Sequence, residues 1–204
     1  MASEEIEQYY RATAHRDVRA DLEFAVDQLV EKTIAVDCGC GAGADIAYLR
    51  AKGFIVKAFD SEEEAIKQCK KRFDSDDAVH LSTASFTSFS YPAAALVVAE
   101  ASLFFCPESE FEQVWHNIES SLIPGGIFCG SFLGPKDTMA GPNYNGEAFW
   151  PTVLVFEEHA LRKNTERFAT VAIHRTQCVG AHTTRTPSPV AYLCSSGNKS
   201  VVVI

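Results

Sequence analysis

Apolar and polar positions change along the chain in a way that predicts strands and helices in turn. Mainly apolar runs at 33–37, 54–59 and 94–99 predict strands, and the run at 94–99 is continuously apolar, as buried parallel strands tend to be. Between and after these runs, residues 43–52 and 108–122 have the apolar periodicity of helices. Strands that alternate with helices at this spacing predict a parallel sheet covered on both faces.

Capping and chain-breaking residues define further boundaries. Ser61 is expected to cap a helix whose first turn holds three glutamates, because a helix N-terminus favours acids. The Pro-Gly-Gly run at 124–126 is expected to end the helix that precedes the fifth strand. The remaining predicted elements are two helical segments within 3–31, strands at 79–81, 127–133, 168–174 and 200–204, and a short helix at 157–163.

A long loop interrupts this alternation. Residues 134–151 are rich in glycine, proline, asparagine and aspartate, and long loops in compact domains are commonly lids or binding loops. A chain of 204 residues is expected to fold as one domain. We therefore predict a single domain over 1–204, with an N-terminal helical flap at 1–31, a loop or lid at 134–151, and the C-terminal part of the sheet at 152–204.

The composition is that of an ordinary globular domain and narrows the choice of partners. Hydrophobic residues make up 47% of the chain, charged residues make up 22%, and the formal net charge is -9. Because an acidic chain without a basic stripe does not neutralise phosphates, we expect neither nucleic acid nor a membrane surface as partner. The acidic start lacks the features of a signal peptide, and no apolar run reaches the length of a membrane span. A cytoplasmic location is therefore expected.

The seven cysteines lie mostly within apolar runs. That placement predicts small buried side chains in a reducing compartment rather than a disulfide framework. Cys38 and Cys40 are too close together for the usual zinc spacing, and no second pair follows them. We therefore expect no metal site.

The segment that joins the first two strands carries the clearest functional signal. The first strand ends in Asp37 and opens into a loop with glycines at alternate positions, Gly39, Gly41 and Gly43. Such glycines allow a tight turn and a close approach of ligand to backbone, and the following helix presents free N–H groups. The second strand ends in Asp60, where an acid would hold the ribose hydroxyls of a nucleotide cofactor.

The spacing of the glycines favours one class of cofactor. A dinucleotide site prefers G-x-G-x-x-G, with the pyrophosphate on the helix N-terminus, whereas this loop reads G-x-G-x-G behind an acid. A carboxylate at Asp37 would repel a pyrophosphate but would suit a cationic ligand that carries hydroxyls. Nicotinamide binding and a purely structural glycine turn are the alternatives.

Over residues 8–140 the chain resembles the class I S-adenosylmethionine-dependent methyltransferases. The resemblance rests on the V-D-x-G-x-G-x-G loop with its second strand-terminal acid, on the Pro-Gly-Gly turn, and on the segment 99–107. Residues 130–137 are similar to bacterial small-molecule methyltransferases related to the tellurite-resistance type, while the C-terminal quarter diverges from that pattern. The resemblance implies a three-layer Rossmann-like fold, with a mostly parallel seven-stranded sheet and helices on both faces.

The same resemblance implies a site for S-adenosylmethionine. Asp37 would hold the ammonium of its methionine part, and Asp60 would accept its ribose hydroxyls. The implied cofactor-binding residues are Asp37, Gly39, Cys40, Gly41, Gly43, Asp60, Ser61, Ser85, Phe86 and Glu100. Candidate substrate contacts are Tyr10, Arg16, Ser102 and Asp137.

Structural explanations exist for several of these residues. Asp37 could cap the turn, Asp60 could simply precede the next helix, and Phe86 could belong to the core. The tyrosines and arginines of the flap, including Arg19, either cover the cofactor or belong to an amphipathic helix docked on the sheet.

The implied reaction is methyl transfer from S-adenosylmethionine to a small-molecule acceptor by in-line displacement at a sulfonium carbon. The protein supplies alignment and a dry pocket, and alignment alone can supply roughly 7–11 kcal/mol. No catalytic base is identified, and an already nucleophilic acceptor needs none. A catalytically inactive adenosylmethionine-binding regulatory protein and a nicotinamide-dependent reductase are the alternatives. We expect a monomer or homodimer.

Overall fold

The computed structural model describes residues 10–140, 153–157 and 159–160, together with the backbone of two C-terminal strands. Seven strands are present, namely β1 (Ile34–Cys38), β2 (Ile55–Asp60), β3 (Val79–Thr83), β4 (Ala94–Ala99), β5 (Leu122–Leu133), β6 (Ala172–Gln177) and β7 (Asn198–Val203). They form one sheet in the order β3-β2-β1-β4-β5-β7-β6. β1 to β5 pair in parallel, and β7 runs antiparallel to both β5 and β6. The predicted mostly parallel, Rossmann-like sheet is confirmed.

Helices cover both faces of this sheet. They are α1 (Ala20–Gln28), α2 (Ala44–Ala51), α3 (Glu63–Arg72) and α4 (Glu108–Ser121), with two single 3-10 turns at Leu103–Phe105 and Thr138–Ala140. Because successive side chains of a strand point to opposite faces, Ala35 packs in one core cluster and Val36 in another. The first cluster contains residues of α1, α2 and α3, and the second contains residues of α4. The result is the predicted arrangement of three layers.

The start of β5 differs from the sequence-based prediction. The strand begins at Leu122, directly after α4, and the Pro-Gly-Gly run lies within it instead of ending the helix. Gly125 has a φ of 78°, and the pairing with β4 shifts register between Ala94 and Leu96. A Cβ on Gly126 would lie 2.9 Å from the Ile123 carbonyl oxygen. The glycines therefore accommodate an irregularity within one continuous strand.

The predicted cap of α3 is wrong. The helix begins at Glu63, its N-cap residue is Glu62, and Ser61 is exposed. The side chain of Asp60 takes the expected role in part, because its Oδ1 accepts the Glu62 N–H at 3.0 Å. An aspartate that bonds the backbone two residues onward makes such a turn without help from the neighbouring serine.

The outer parts of the chain were predicted less closely. The strands predicted at 168–174 and 200–204 correspond to β6 at 172–177 and β7 at 198–203. In the N-terminal region the structure has a helical turn at 10–13 and then α1. The first helical segment before residue 10, most of the predicted helix at 157–163 and residues 141–151 of the predicted lid lie outside the described residues. The division into flap, lid and C-terminal part stays a prediction.

Candidate cofactor site

The carboxyl ends of β1, β2 and β4 lie side by side and carry three acidic residues, Asp37, Asp60 and Glu100. β1 pairs with β2 so that Cys38 lies opposite Phe59, and with β4 so that Asp37 lies opposite Val98. Ligands of open α/β sheets bind outside the carboxyl ends of the strands. The predicted site residues therefore converge on the edge of the sheet where a ligand would be expected.

The glycine loop is fastened to this edge by its backbone. The N–H groups of Gly39 and Cys40 both donate to the Phe59 carbonyl oxygen, at 2.9 and 3.0 Å. A Cβ on Gly39 would lie 2.5 Å from Ser102 Cβ, whereas a Cβ on Gly41 would meet only the Tyr10 ring, at 3.8 Å. The first glycine thus serves close packing within the protein, whereas the space beside Gly41 is bordered by the Tyr10 ring at ordinary contact distance.

Asp60 has a fixed orientation. Its Oδ2 accepts the Gly41 N–H at 2.9 Å, and its Oδ1 accepts the Glu62 N–H at 3.0 Å. Burial raises the pKa of Asp60, and the backbone N–H groups oppose that shift. Because a carboxylate has about four lone-pair sites, each oxygen can still accept one further hydrogen bond. The geometry suits a ligand that offers two adjacent hydroxyls.

Asp37 has the opposite character. It is 2% exposed, and its Oδ2 has no hydrogen-bond partner in the described structure. Burial and the negative charge of Asp45 raise the pKa of Asp37, while the nearby Arg16 guanidinium lowers it. A buried carboxylate without a partner is costly. This orphaned oxygen marks a place for a cationic or hydrogen-bond-donating group.

Asp45, on the first turn of α2, belongs to the same group of acids, and the sequence did not single it out. Arg16 Nη2 donates to Asp45 Oδ2, whereas Asp45 Oδ1 is buried and without a partner in the described residues. Acids are common in the first turn of a helix, so the sequence pattern gave no reason to assign this one to a site.

Glu100, at the end of β4, is the third buried acid. Arg19 Nη1 donates to its Oε2 at 2.9 Å, and the Cys129 thiol lies 3.8 Å from its Oε1. Burial raises the pKa of Glu100, and the Arg19 guanidinium opposes that shift. The charge of Asp45 is close enough to contribute to the same pKa. Three buried acids therefore share the charges of Arg16 and Arg19.

The segment before α1 runs along the glycine loop. Tyr10 is buried against Ala42 and Ala65. Arg72 of α3 donates to the carbonyl oxygens of Ala14 and Ala42, at 2.6 and 3.0 Å. Together with the two arginine–carboxylate pairs, these contacts attach the N-terminal residues to the site.

Two predicted substrate contacts, Ser102 and Asp137, follow β4 and β5. Ser102 is buried and donates to the Cys38 carbonyl oxygen at 2.6 Å, so its hydroxyl ties the loop after β4 to the end of β1. Asp137 follows β5 and is also buried. Its Oδ1 accepts the Met139 N–H at 2.9 Å, while its Oδ2 has no partner in the described structure. Ser102 thus has a structural bond, and Asp137 retains a free acceptor.

The residues predicted to face the adenine are less closely engaged. Phe86 is half-buried and meets Phe59 edge to face, with ring centroids 5.6 Å apart. Ser85 is exposed, and its hydroxyl contacts those of Thr87 and Ser88, at 3.0 and 3.1 Å. Neither geometry requires a ligand.

Two further searches concern only the described part of the chain. Among those residues, no group of three or more histidine, cysteine, aspartate or glutamate side chains could hold a metal ion. None of the helices described there has both the length and the apolar character that a membrane crossing requires.

Comparison with protein families agrees with this geometry. Residues 35–126 match a family model described as a methyltransferase domain. This match covers β1 to β4, the glycine loop and the Pro-Gly-Gly run. The sequence has no significant match among curated proteins.

Solved structures extend the likeness to the fold of nearly the whole chain. TehB from Haemophilus influenzae has a TM-score of 0.71 and 14% identity; the match covers 98% of this chain and 66% of TehB, so this chain spans just under two thirds of that protein. The 1,6-didemethyltoxoflavin-N1-methyltransferase of Burkholderia thailandensis, solved with its acceptor and S-adenosylhomocysteine, has a TM-score of 0.59 and 19% identity over 98% of this chain and 87% of its own.

A third similar structure is the geranyl diphosphate C-methyltransferase of Streptomyces coelicolor, solved with Mg2+, geranyl diphosphate and S-adenosylhomocysteine. Its TM-score is 0.64 and its identity 15%, over 91% of this chain and 75% of its own. The methyltransferase-domain match of residues 35–126 agrees with the resemblance suggested by the glycine loop. The chain has the fold of the S-adenosylmethionine-dependent methyltransferases.

Proposed function

We propose that this protein binds S-adenosylmethionine at the carboxyl edge of β1, β2 and β4 and transfers its methyl group to a small-molecule acceptor. The observation that carries the proposal is the pair of orphaned carboxylate oxygens, Asp37 Oδ2 and Asp45 Oδ1, beside a glycine loop. S-Adenosylmethionine carries an ammonium, a sulfonium and a ribose but no phosphate, and its charge complements a group of buried acids.

The residues present fit this cofactor from end to end. Asp37, with Asp45 next to it, would hold the ammonium, and Asp60 would accept the two ribose hydroxyls. The missing side chain of Gly41 would let the cofactor approach the loop backbone beside the Tyr10 ring. When bound, the cofactor supplies an activated methyl group on a sulfonium. Phe86 would border the adenine, with Ser61 and Ser85 at the exposed rim of the site.

The protein's part in the reaction is to align the acceptor and to exclude water. Buried groups around the end of β4, above all Glu100 and Asp137, would surround the acceptor and orient its polar atoms. Support for a small-molecule acceptor comes from the similar structures, whose acceptors are 1,6-didemethyltoxoflavin and geranyl diphosphate. We propose further that the protein acts in the cytoplasm as a monomer or homodimer, without a nucleic-acid partner.

A ligand-binding comparison tests the cofactor assignment. S-Adenosylhomocysteine at a hundredfold its dissociation constant should stabilise the fold by about 2.7 kcal/mol, which a thermal-shift assay detects, and NADH should give no shift. A shift with NADH and none with S-adenosylhomocysteine would favour the nicotinamide-dependent reductase instead.

Activity requires a second experiment. The protein is incubated with S-adenosylmethionine that carries a labelled methyl group and with pools of nucleophilic small molecules, and transfer is followed by mass spectrometry. The Asp37→Asn variant is the control for background methylation. Binding of the cofactor without transfer to any pool would favour the inactive regulatory protein.

A further inference from the structure

Ala101, two residues after the end of β4, has an unusual backbone conformation. Its φ is 55°, and among the described residues it is the only one other than glycine with a positive φ. The left-handed region is unfavourable for a residue with a Cβ, so a residue stays there only where its surroundings hold it. Such residues are concentrated at functional sites. This turn lies between Glu100 and Ser102, both of which were predicted to belong to the site.

The hydroxyl of Ser131 holds the turn from the neighbouring strand. Ala101 donates its N–H to Ser131 Oγ at 2.7 Å, and Ser131 has no exposed surface. Within residues 127–133 of β5, Ser131 is the only residue with a hydroxyl group. The pairing of β4 with β5 ends at Ala99 and Gly130. The serine side chain therefore supplies an acceptor just beyond the point where the backbone pairing stops.

On one side of the turn, Ser102 contacts the glycine loop. Its hydroxyl donates to the Cys38 carbonyl oxygen at 2.6 Å, and its Cβ would lie 2.5 Å from a Cβ on Gly39. Gly39 in turn donates its N–H to the Phe59 carbonyl oxygen. The turn thus connects β5 with the start of the glycine loop across β4.

On the other side of the turn, Glu100 contacts the N-terminal segment. Its Oε2 accepts a hydrogen bond from Arg19 Nη1 at 2.9 Å, and its side chain is buried. Because φ and ψ are the only soft torsions of a residue's backbone, a different φ at Ala101 would change the position of Glu100 relative to Ser102. The contacts on both sides therefore depend on the same turn.

We propose that Ser131 is a positioning residue for S-adenosylmethionine: by accepting the Ala101 N–H, it keeps Glu100 and Ser102 in place around the cofactor site. This inference rests on the function proposed above. Ser131 is fully buried, so it acts through the turn and not by contact with the cofactor. Without its hydroxyl, the Ala101 N–H loses its acceptor and the turn relaxes towards a negative φ. Ser102 then moves away from Gly39, and the glycine loop loses its support on that side.

The experiment measures the affinity of the full-length protein for S-adenosylhomocysteine by calorimetry. Ser131→Ala should lower this affinity by about tenfold, the change that the loss of one hydrogen bond accounts for, and should also lower the melting temperature. Ser121→Ala is the matched control. Ser121 is likewise buried and donates to the Ile118 carbonyl oxygen at 2.7 Å, but it directly precedes β5, at the opposite end of the sheet. This control should lower the melting temperature and leave the affinity unchanged.

A second substitution tests whether Ser131 acts through the turn. Glycine adopts the left-handed conformation without a steric penalty, so Ala101→Gly should restore most of the affinity lost in Ser131→Ala and change the affinity of the wild type by less than about twofold. The proposal is overturned if Ser131→Ala binds as the wild type does, if Ser121→Ala loses as much affinity, or if Ala101→Gly restores none of it.

A failure of the proposed function would give a different result. If the wild-type protein bound no S-adenosylhomocysteine, the cofactor assignment would fail, and thermal melts would still test the turn. Ser131→Ala and Ser102→Ala should then destabilise the fold by less together than the sum of their separate effects, because both act on the same turn. Strictly additive effects would show that the two hydroxyls are independent.

Discussion

Two aspartates at strand ends, Asp37 of β1 and Asp60 of β2, would hold the two parts of the cofactor, but they differ in their hydrogen-bond partners. Asp60 accepts hydrogen bonds from the Gly41 and Glu62 N–H groups, which offset part of the cost of burying its charge. Asp37 is more deeply buried, lies near Asp45, and has an oxygen without a partner in the described structure. Asp60 is oriented by hydrogen bonds from the protein, whereas Asp37 keeps an oxygen without a partner in the described structure and Arg16 offsets its charge only in part.

Because of this contrast, we expect replacing Asp37 and replacing Asp60 to have opposite effects on stability but the same direction of effect on cofactor affinity. Replacing Asp37 removes a buried carboxylate with an unpartnered oxygen, while replacing Asp60 removes the acceptor of two backbone N–H groups. Stability and affinity should therefore change in opposite directions for Asp37 and in the same direction for Asp60.

The largest effect is expected for Asp37→Asn. Affinity for S-adenosylmethionine should fall about a hundredfold, because the bound ammonium loses its charged partner. That loss corresponds to about 2.8 kcal/mol of binding free energy. The melting temperature of the ligand-free protein should rise. Calorimetry and thermal melts give both values, with the exposed Asp77→Asn as the matched control. Unchanged affinity, or a lower melting temperature, would show that Asp37 is a structural residue.

A smaller loss is expected for Asp60→Ala. The variant loses charge-assisted hydrogen bonds to the ribose, each worth about 1.5–3 kcal/mol, so affinity should fall about tenfold or more. Here the ligand-free protein should also become less stable, because the Gly41 and Glu62 N–H groups lose their acceptor. Calorimetric affinity equal to that of the wild type would show that the ribose is held elsewhere.

The contrast between the two acids also predicts a dependence on pH. The pKa of Asp37 is raised by burial and by Asp45, so at low pH the folded protein keeps this carboxyl protonated. Affinity for the cationic cofactor should therefore increase as pH rises through the raised pKa, by at most about tenfold per pH unit for one proton. Calorimetry across the pH range would measure it.

The same raised pKa fixes the sign of the effect on stability. Between the unfolded value of about 3.9 and the higher folded value, the folded state binds more protons than the unfolded state. The contribution of Asp37 to the free energy of unfolding is thus fully present below the unfolded value and is lost as pH rises through the folded one. In Asp37→Asn both dependences should be weaker. If that variant kept the full pH dependence of affinity, a different acid would be responsible.

The elements predicted best are the strands whose apolar residues, visible in the sequence, are also the residues buried in the core. β1, β2 and β4 are mainly apolar runs, and their predicted bounds agree with the structure to within one residue. The start of β5 was missed because proline and glycine ordinarily end an element, while Gly125 here adopts a left-handed conformation within the strand. The predicted Ser61 cap was wrong because the side chain of the neighbouring Asp60 accepts the Glu62 N–H at the start of the helix.

The site was predictable only in the acids and glycines that follow strands. Arg19 and Glu100 are 81 positions apart, and Arg16 and Asp45 are 29 positions apart. No periodicity along the chain indicates that either pair meets. The acid Asp45 has the ordinary position of a helix-terminal residue, and only its orphaned oxygen beside Asp37 distinguishes it.

The smallest effect on cofactor affinity is expected for Ser85→Ala. Ser85 lies at the predicted adenine end of the site, to which neither strand-terminal acid contributes. The Ser85 hydroxyl is exposed and already contacts the hydroxyls of Thr87 and Ser88. A surface substitution of this kind usually changes stability by about 0.5 kcal/mol or less, and Ser85→Ala should change cofactor affinity by less than about threefold, which corresponds to a similar free energy. Calorimetry at one pH is sufficient. A tenfold loss in Ser85→Ala, with Thr87→Ala as the matched control, would mean that the serine turns towards the adenine when the cofactor binds, and the recognition of the cofactor would then extend well beyond the two acids.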